Sequence, residues 1–155
     1  DLQSRAMAFF SRLRAQRAAN RELGEGVWRR AHDRFTRSLD RIFQVLEGIN
    51  DVEIYNQLVA PANEMAELLP VVRQLCTDAQ RITPSDDEAI PQSTAGVHRS
   101  LTKSANDLAT TAQVIAMMRM QAEAGSPINI LSVEHRAQIV KDDVNQAAQL
   151  LASLK

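Results

Sequence analysis

Apolar residues in this chain return every third and fourth position over stretches too long for anything but helix. One series runs Tyr55, Leu58, Ala62, Met65, Leu69, Val72, Cys76, Ala79. A second runs Leu101, Ala105, Leu108, Ala112, Ile115, and a third Val133, Ala137, Val140, Val144, Ala147, Leu151, Leu154. Such spacing puts each series on one stripe of a helix, and a stripe must be covered by another helix. Between Val27 and Glu47, residues Trp28, Ala31, Phe35, Leu39, Ile42, Phe43 and Leu46 fall within a face about 120° wide. The sequence therefore predicts an all-α fold, an antiparallel four- or five-helix up-and-down bundle. Alanines along the stripes (Ala62, Ala79, Ala105, Ala112, Ala137, Ala147) let helix axes approach closely, within one chain or across a homodimer.

The punctuation divides the chain further. A first helix is expected from Leu2 to Leu23, with Leu2, Ala6, Phe9 and Leu13 on one narrow stripe and Gly24 and Gly26 as its stop. Asp51 is the expected N-cap of the third stretch. Pro61 and Pro70 interrupt that stretch, predicting a break between Ala60 and Pro61 and a kink at Pro70. Thr83 to Thr94 form an acidic, proline-containing connector, and the next helix runs from about Ala95 to Ala124. Gly125-Ser126-Pro127 ends it, and Ser132 is expected to cap the last helix. Ile128, Ile130 and Leu131, in the last connector, pack over the end of the bundle by default or, left exposed, make a small apolar knob. The expectation is one domain over 1–155, with residues 1–24 a fifth member or a projecting, membrane-proximal basic helix. Because the chain opens on Asp1 and not Met, it is expected to be a processed protein or a piece of a longer one.

Charge is distributed unevenly. Of fifteen arginines, ten lie in the first forty-one residues, where five acids leave a net +5. The other 114 residues hold eight bases and fourteen acids, net −6, so a total of −1 conceals a strong asymmetry. Arg30, Arg34, Arg37 and Arg41 share the helix side opposite the Trp28 stripe, with Asp33 placed to pair with Arg37. Arg5 and Arg12 flank the stripe of the first helix on one side, Arg14, Arg17 and Arg21 on the other.

Little chemistry is legible. Cys76 stands alone, which removes intrachain disulfides, zinc clusters and covalent haem attachment. The three histidines, His32, His98 and His135, are preceded three residues earlier by Arg29, Ala95 and Ser132, not by the glutamates of a di-metal carboxylate bundle. The run Gly24-Glu25-Gly26 has neither the spacing nor the following Lys of a phosphate loop. The methionines fall at helical core spacing, which suits flexible filler better than haem ligation. The expectation is a non-enzymatic chain with no cofactor and no metal.

What remains is the arginines. Solvation, or pairing with acids of the same bundle such as Glu53, Glu64, Glu67, Asp78, Asp142 and Asp143, accounts for such rows in many proteins. Fifteen Arg against three Lys adds weight to the contrary reading, a surface built for carboxylates or phosphates. The expected function is that of a protein-interaction or scaffolding module, the cytoplasmic part of a membrane-associated protein. It would dock another protein or an anionic membrane surface through Arg30, Arg34, Arg37 and Arg41, with Arg12, Arg14 and Arg17 on the first helix. Nucleic acid ranks below both, because Gly24-Glu25-Gly26 does not fit a helix-turn-helix. The alternative is an extracytoplasmic ligand-sensing bundle of a signalling receptor, with a haem or metal carrier behind it.

Overall fold

A computed structural model describes residues 1–155. Six α-helices follow one another: α1 (Leu2–Leu23), α2 (Val27–Glu47), α3 (Val52–Ala66), α4 (Leu68–Ile82), α5 (Ala95–Glu123) and α6 (Ile130–Ala152), with a 3-10 turn at Gln92–Thr94. The fold is an all-α bundle without strands. Helices α3 and α4 together make one broken rod, so the bundle has four rods: α2, α3/α4, α5 and α6. Successive rods reverse direction, as short connectors require.

The neighbour relations are less usual. Rod α2 packs on α5 and on α3/α4, and α6 packs on α5 and on α3/α4. The chain therefore crosses the diagonal between α4 and α5. Thr83 and Thr94, at the two ends of that crossing, meet through their hydroxyls at 2.7 Å. As a result α2 and α5 lie side by side and run in the same direction.

The stripes close on one apolar cluster that draws on every helix. Trp28, Phe35 and Ile42 of α2 are fully buried, as are Leu58, Met65 and Val72, Leu101, Leu108 and Ile115, and Val140, Val144 and Leu151. Burying a side chain of the size of Phe35 or Leu108 is worth about 1.5–3 kcal/mol. On the stripes of these four rods Phe43, Tyr55 and Leu69 are half-buried, and Leu154 falls off, being 42 % exposed beyond the end of α6.

Two expectations about helix ends are corrected. The chain does not break at Pro61, which is buried inside α3. The carbonyl that Pro61 leaves without its helical partner belongs to Gln57, one turn earlier on the same helix. The break comes at Glu67, and Pro70 becomes the third residue of α4, a position whose N–H would have no intrahelical partner anyway. Ser132 is not the cap of α6. That helix starts a turn earlier at Asn129, whose side chain accepts from Leu131 N at 3.1 Å. Ile128 and Ile130 pack against the core while Leu131 stays exposed. Asp51 caps α3 through Ile54 N as expected.

The α4–α5 connector is stitched to the start of α2. Trp28 Nε1 donates to Thr83 O at 3.0 Å, and Val27 N donates to Ser85 Oγ at 3.1 Å. Gly26 lies against the backbone of Ser85, where a Cβ has no room. Gly24 takes φ +71° to end α1, a conformation that favours glycine. Beyond that turn α1 packs on α2 and α4 only by its last turns. Ala19 and Leu23 are buried there, Glu22 meets Arg73 at 2.7 Å and Asn20 accepts from Arg29. Residues 1–17 are exposed apart from a half-buried Leu13.

Candidate docking groove

The stripe that buries Trp28 and Phe35 fixes the rotation of α2, and with it the direction of its polar side. Arg30, Arg34, Arg37 and Arg41 are all exposed and follow one another at intervals of four, three and four residues, over about 16 Å of helix. They form one wall of a groove whose other wall is α5. Three depressions succeed each other along it. The first, of about 310 Å³, is lined by Arg30, Arg34, Glu88, His98 and Thr102. The second, of about 340 Å³, lies among Arg37, Arg41, Ala109 and Ala116, and the third, of about 370 Å³, among Arg41, Gln44, Arg119, Met120 and Glu123. Ala109, Ala112 and Ala116 keep the floor low, because a methyl group is all that each raises from the α5 backbone.

The arginines are nearly free of partners within the chain. Arg30 donates to the carbonyl of Asp87. Arg34, Arg37 and Arg41 take part in no hydrogen bond and no ion pair. Asp33, expected beside Arg37, turns instead to Arg29 at 3.1 Å and to the ring of His32 at 3.1 Å. The acids considered as partners are engaged elsewhere or remote. Asp78 meets Arg81 and Lys155, and Asp143 meets Lys103 at 2.9 Å. Like charges at i,i+4 repel by about 0.2–0.5 kcal/mol per pair. Glu88 lines the first depression and Glu123 the third, but neither forms an ion pair with the row, Glu123 meeting Arg119 instead.

At its Trp28 end the groove meets a wider cleft of about 630 Å³ between the connector and α5, lined by Ile90, Gln92, His98, Arg99, Thr102 and Lys103. The His98 ring stands edge-on to Trp28, with centroids 5.8 Å apart and planes at 71°. Burial, followed by the nearby Arg34 and Arg30 guanidiniums, holds His98 below the usual histidine range, so at neutral pH it is an uncharged hydrogen-bonding group. The other histidines lie apart from it: His32 is bound to Asp33, and His135 is exposed on α6. No three His, Cys, Asp or Glu side chains gather anywhere in a way that could hold a metal ion. Burial pushes the Cys76 thiol up to about 12, which leaves it a small core group and not a nucleophile.

The structure thus brings Arg30, Arg34, Arg37 and Arg41 together on one wall. It does not bring Arg12, Arg14 and Arg17 to them, since those lie on the free part of α1 and line none of these depressions. The α5 wall was missed in the sequence. Its signal was there: Thr102, Ala109 and Ala116 recur every seven residues beside the buried stripe, leaving a low track along the helix. No helix is long and apolar enough to cross a membrane. Compared with protein-family models, curated proteins and solved structures, the chain matches none.

Proposed function

We propose that the chain is a non-enzymatic docking module that holds an acidic segment of another protein along the α2–α5 groove. The observation that carries this is the row Arg34, Arg37 and Arg41, exposed, aligned and in no ion pair with an acid of its own chain. Guanidinium groups bind carboxylates in pairs of parallel hydrogen bonds, and such contacts gain strength where a groove excludes part of the water. A helix with carboxylates at the same four-three-four spacing would face each arginine in turn, its backbone lying over Ala109 and Ala116. The setting we propose is cytoplasmic, at the inner face of a membrane; the excess of arginine in the first forty-one residues supports it.

A fluorescein-labelled alanine-based helical peptide with Glu at i, i+4, i+7 and i+11 tests the groove by anisotropy. At low salt the chain is expected to bind it, and affinity falls as salt screens the pairs. Reversing Arg30, Arg34, Arg37 and Arg41 to Glu should weaken binding by more than about tenfold. Equal binding by the reversed variant, or no binding by the native chain, leaves the row as a solvated face and ends the proposal.

A second reading is an extracytoplasmic ligand-sensing bundle, favoured by the cleft of about 630 Å³ beside His98. A thermal shift produced by a small anion, and abolished by His98→Ala together with Arg99→Ala, would support it over the peptide groove.

A further inference from the structure

The outer turns of α1 carry an apolar stripe that nothing covers. Leu2, Phe9 and Phe10 are 85 %, 55 % and 57 % exposed, and Ala6 and Leu13 lie on the same side. At 100° per residue that side is turned about 100° from the one on which Ala19 and Leu23 dock. The stripe is therefore a separate surface and not a loosened margin of the core. Arg5 and Arg12 border it on one edge and Arg14 on the other, Arg17 closes it a turn below Leu13, and no acid occurs between Leu2 and Arg21. None of these guanidiniums makes an ion pair.

We infer that residues 2–17 form an interfacial helix that lies on an anionic lipid bilayer. Leu2, Phe9, Phe10 and Leu13 enter the boundary between headgroups and acyl chains, while the arginines on both edges reach up to lipid phosphates. Charge complementarity selects this occupant. A second copy of α1 would bring four arginines against four, with no acid to separate them. A headgroup layer presents phosphates along both edges of the stripe at once, and fluid acyl chains accommodate the uneven pair of adjacent phenylalanines, whose rings meet edge-on at 5.8 Å. The surface is independent of the groove, since α1 docks on α2 and α4 by its last turns and none of residues 2–17 lines the groove.

Co-sedimentation of the whole chain with vesicles tests it. Binding is expected to phosphatidylglycerol–phosphatidylcholine vesicles at low salt and not to phosphatidylcholine alone. Phe9→Ser with Phe10→Ser should cut binding by more than about tenfold, and so should Arg5, Arg12, Arg14 and Arg17 changed together to Gln. These side chains are exposed, so the melting curve should stay in place. The variant with Arg30, Arg34, Arg37 and Arg41 reversed should still bind, which separates this surface from the groove. The inference is overturned if the native chain fails to sediment, if either α1 variant binds as the native chain does, or if the reversed α2 row alone abolishes binding. Dimerisation that depends on Phe9 and Phe10 in the absence of vesicle binding would also overturn it, and would assign the stripe to a second copy.

Discussion

Helices α1 and α2 are nearly matched in sequence statistics and opposite in fate. They have 22 and 21 residues, and each carries five arginines. In α2 the large side chains fall at Trp28, Phe35 and Ile42, one stripe that lasts the length of the helix and is buried throughout. In α1 they crowd at Leu2, Phe9, Phe10 and Leu13, and the lower half of the same side continues as Gln16, Arg17 and Asn20. A helix is drawn into a core by the continuity of its stripe, not by its length, charge or number of aromatic rings. The arginines follow from that choice: in α2 they are set in line by the buried side, in α1 they border a side left open.

The largest effect that could break the comparison is a truncation in each helix. Phe35→Ala should cost about 3–5 kcal/mol in urea unfolding, whereas Phe9→Ala should change stability by less than about 0.5 kcal/mol. Comparable losses in the two variants would mean that α1 is a true member of the core. A smaller effect is expected where α2 is clamped by the connector. Gly26→Ala would drive a methyl group into the Ser85 backbone and should cost about 1–3 kcal/mol. A neutral result would show that the connector gives way and that the Val27 and Trp28 hydrogen bonds are dispensable.

The smallest effect concerns a charge inside the bundle, in contrast to the ten outside it. Asp143 is 8 % exposed, and its Oδ2 has no hydrogen-bond partner. Burial, then the adjacent Asp107 on α5, push its carboxyl up to about 6 against the opposing pull of Lys103. The folded state thus holds this proton more tightly than the unfolded chain, whose ordinary value is 3.8. The contribution of Asp143 is fully present below that value and is lost as pH rises through about 6. Asp107 and Asp78 work the other way. Burial opposes their ionisation, but hydrogen bonds with Asp143 and Lys103 for the first, and with Lys155, Arg81 and Gln74 for the second, outweigh it and hold both carboxyls low. Asp143→Asn should raise the melting temperature at pH 7, by a free energy under about 1 kcal/mol, and flatten its decline between pH 4 and pH 7. A variant whose profile runs parallel to the native one would refute this.

Periodicity reads the inside of each helix well and its neighbours hardly at all. The stripes of α2, α4, α5 and α6 were legible in outline, down to Cys76, but α4 buries Leu68 and Leu75 and leaves Leu69 half-buried, and α2 buries Val45 and leaves Phe43 half-buried. Ser104 and Thr111 were not legible, because a polar residue on a seam looks like an error until its hydroxyl is seen to donate to its own helix, at Leu101 O and Asp107 O. The diagonal order of the rods was not legible either. A stripe states that it must be covered but not by which helix, and the crossing depends on tertiary hydrogen bonds at Thr83, Ser85 and Thr94. The candidate site divides the same way: the arginine row is a property of one helix and was visible, whereas the groove is a property of two.

The crossing of the connector has an electrical consequence. Because α2 and α5 run alongside each other in one direction, their peptide dipoles add along the groove between them. Two helix N-termini, each equivalent to about half a positive charge, sit together at Val27 and Ala95. Two negative ends, accompanied by Glu47 and Glu123, sit together at the other limit. The dipoles thus give the groove a head and a tail: within a turn of the paired N-termini a carboxylate of a bound segment gains, and within a turn of the paired C-termini it is repelled, so that a segment with its carboxylates gathered at one end would favour one orientation.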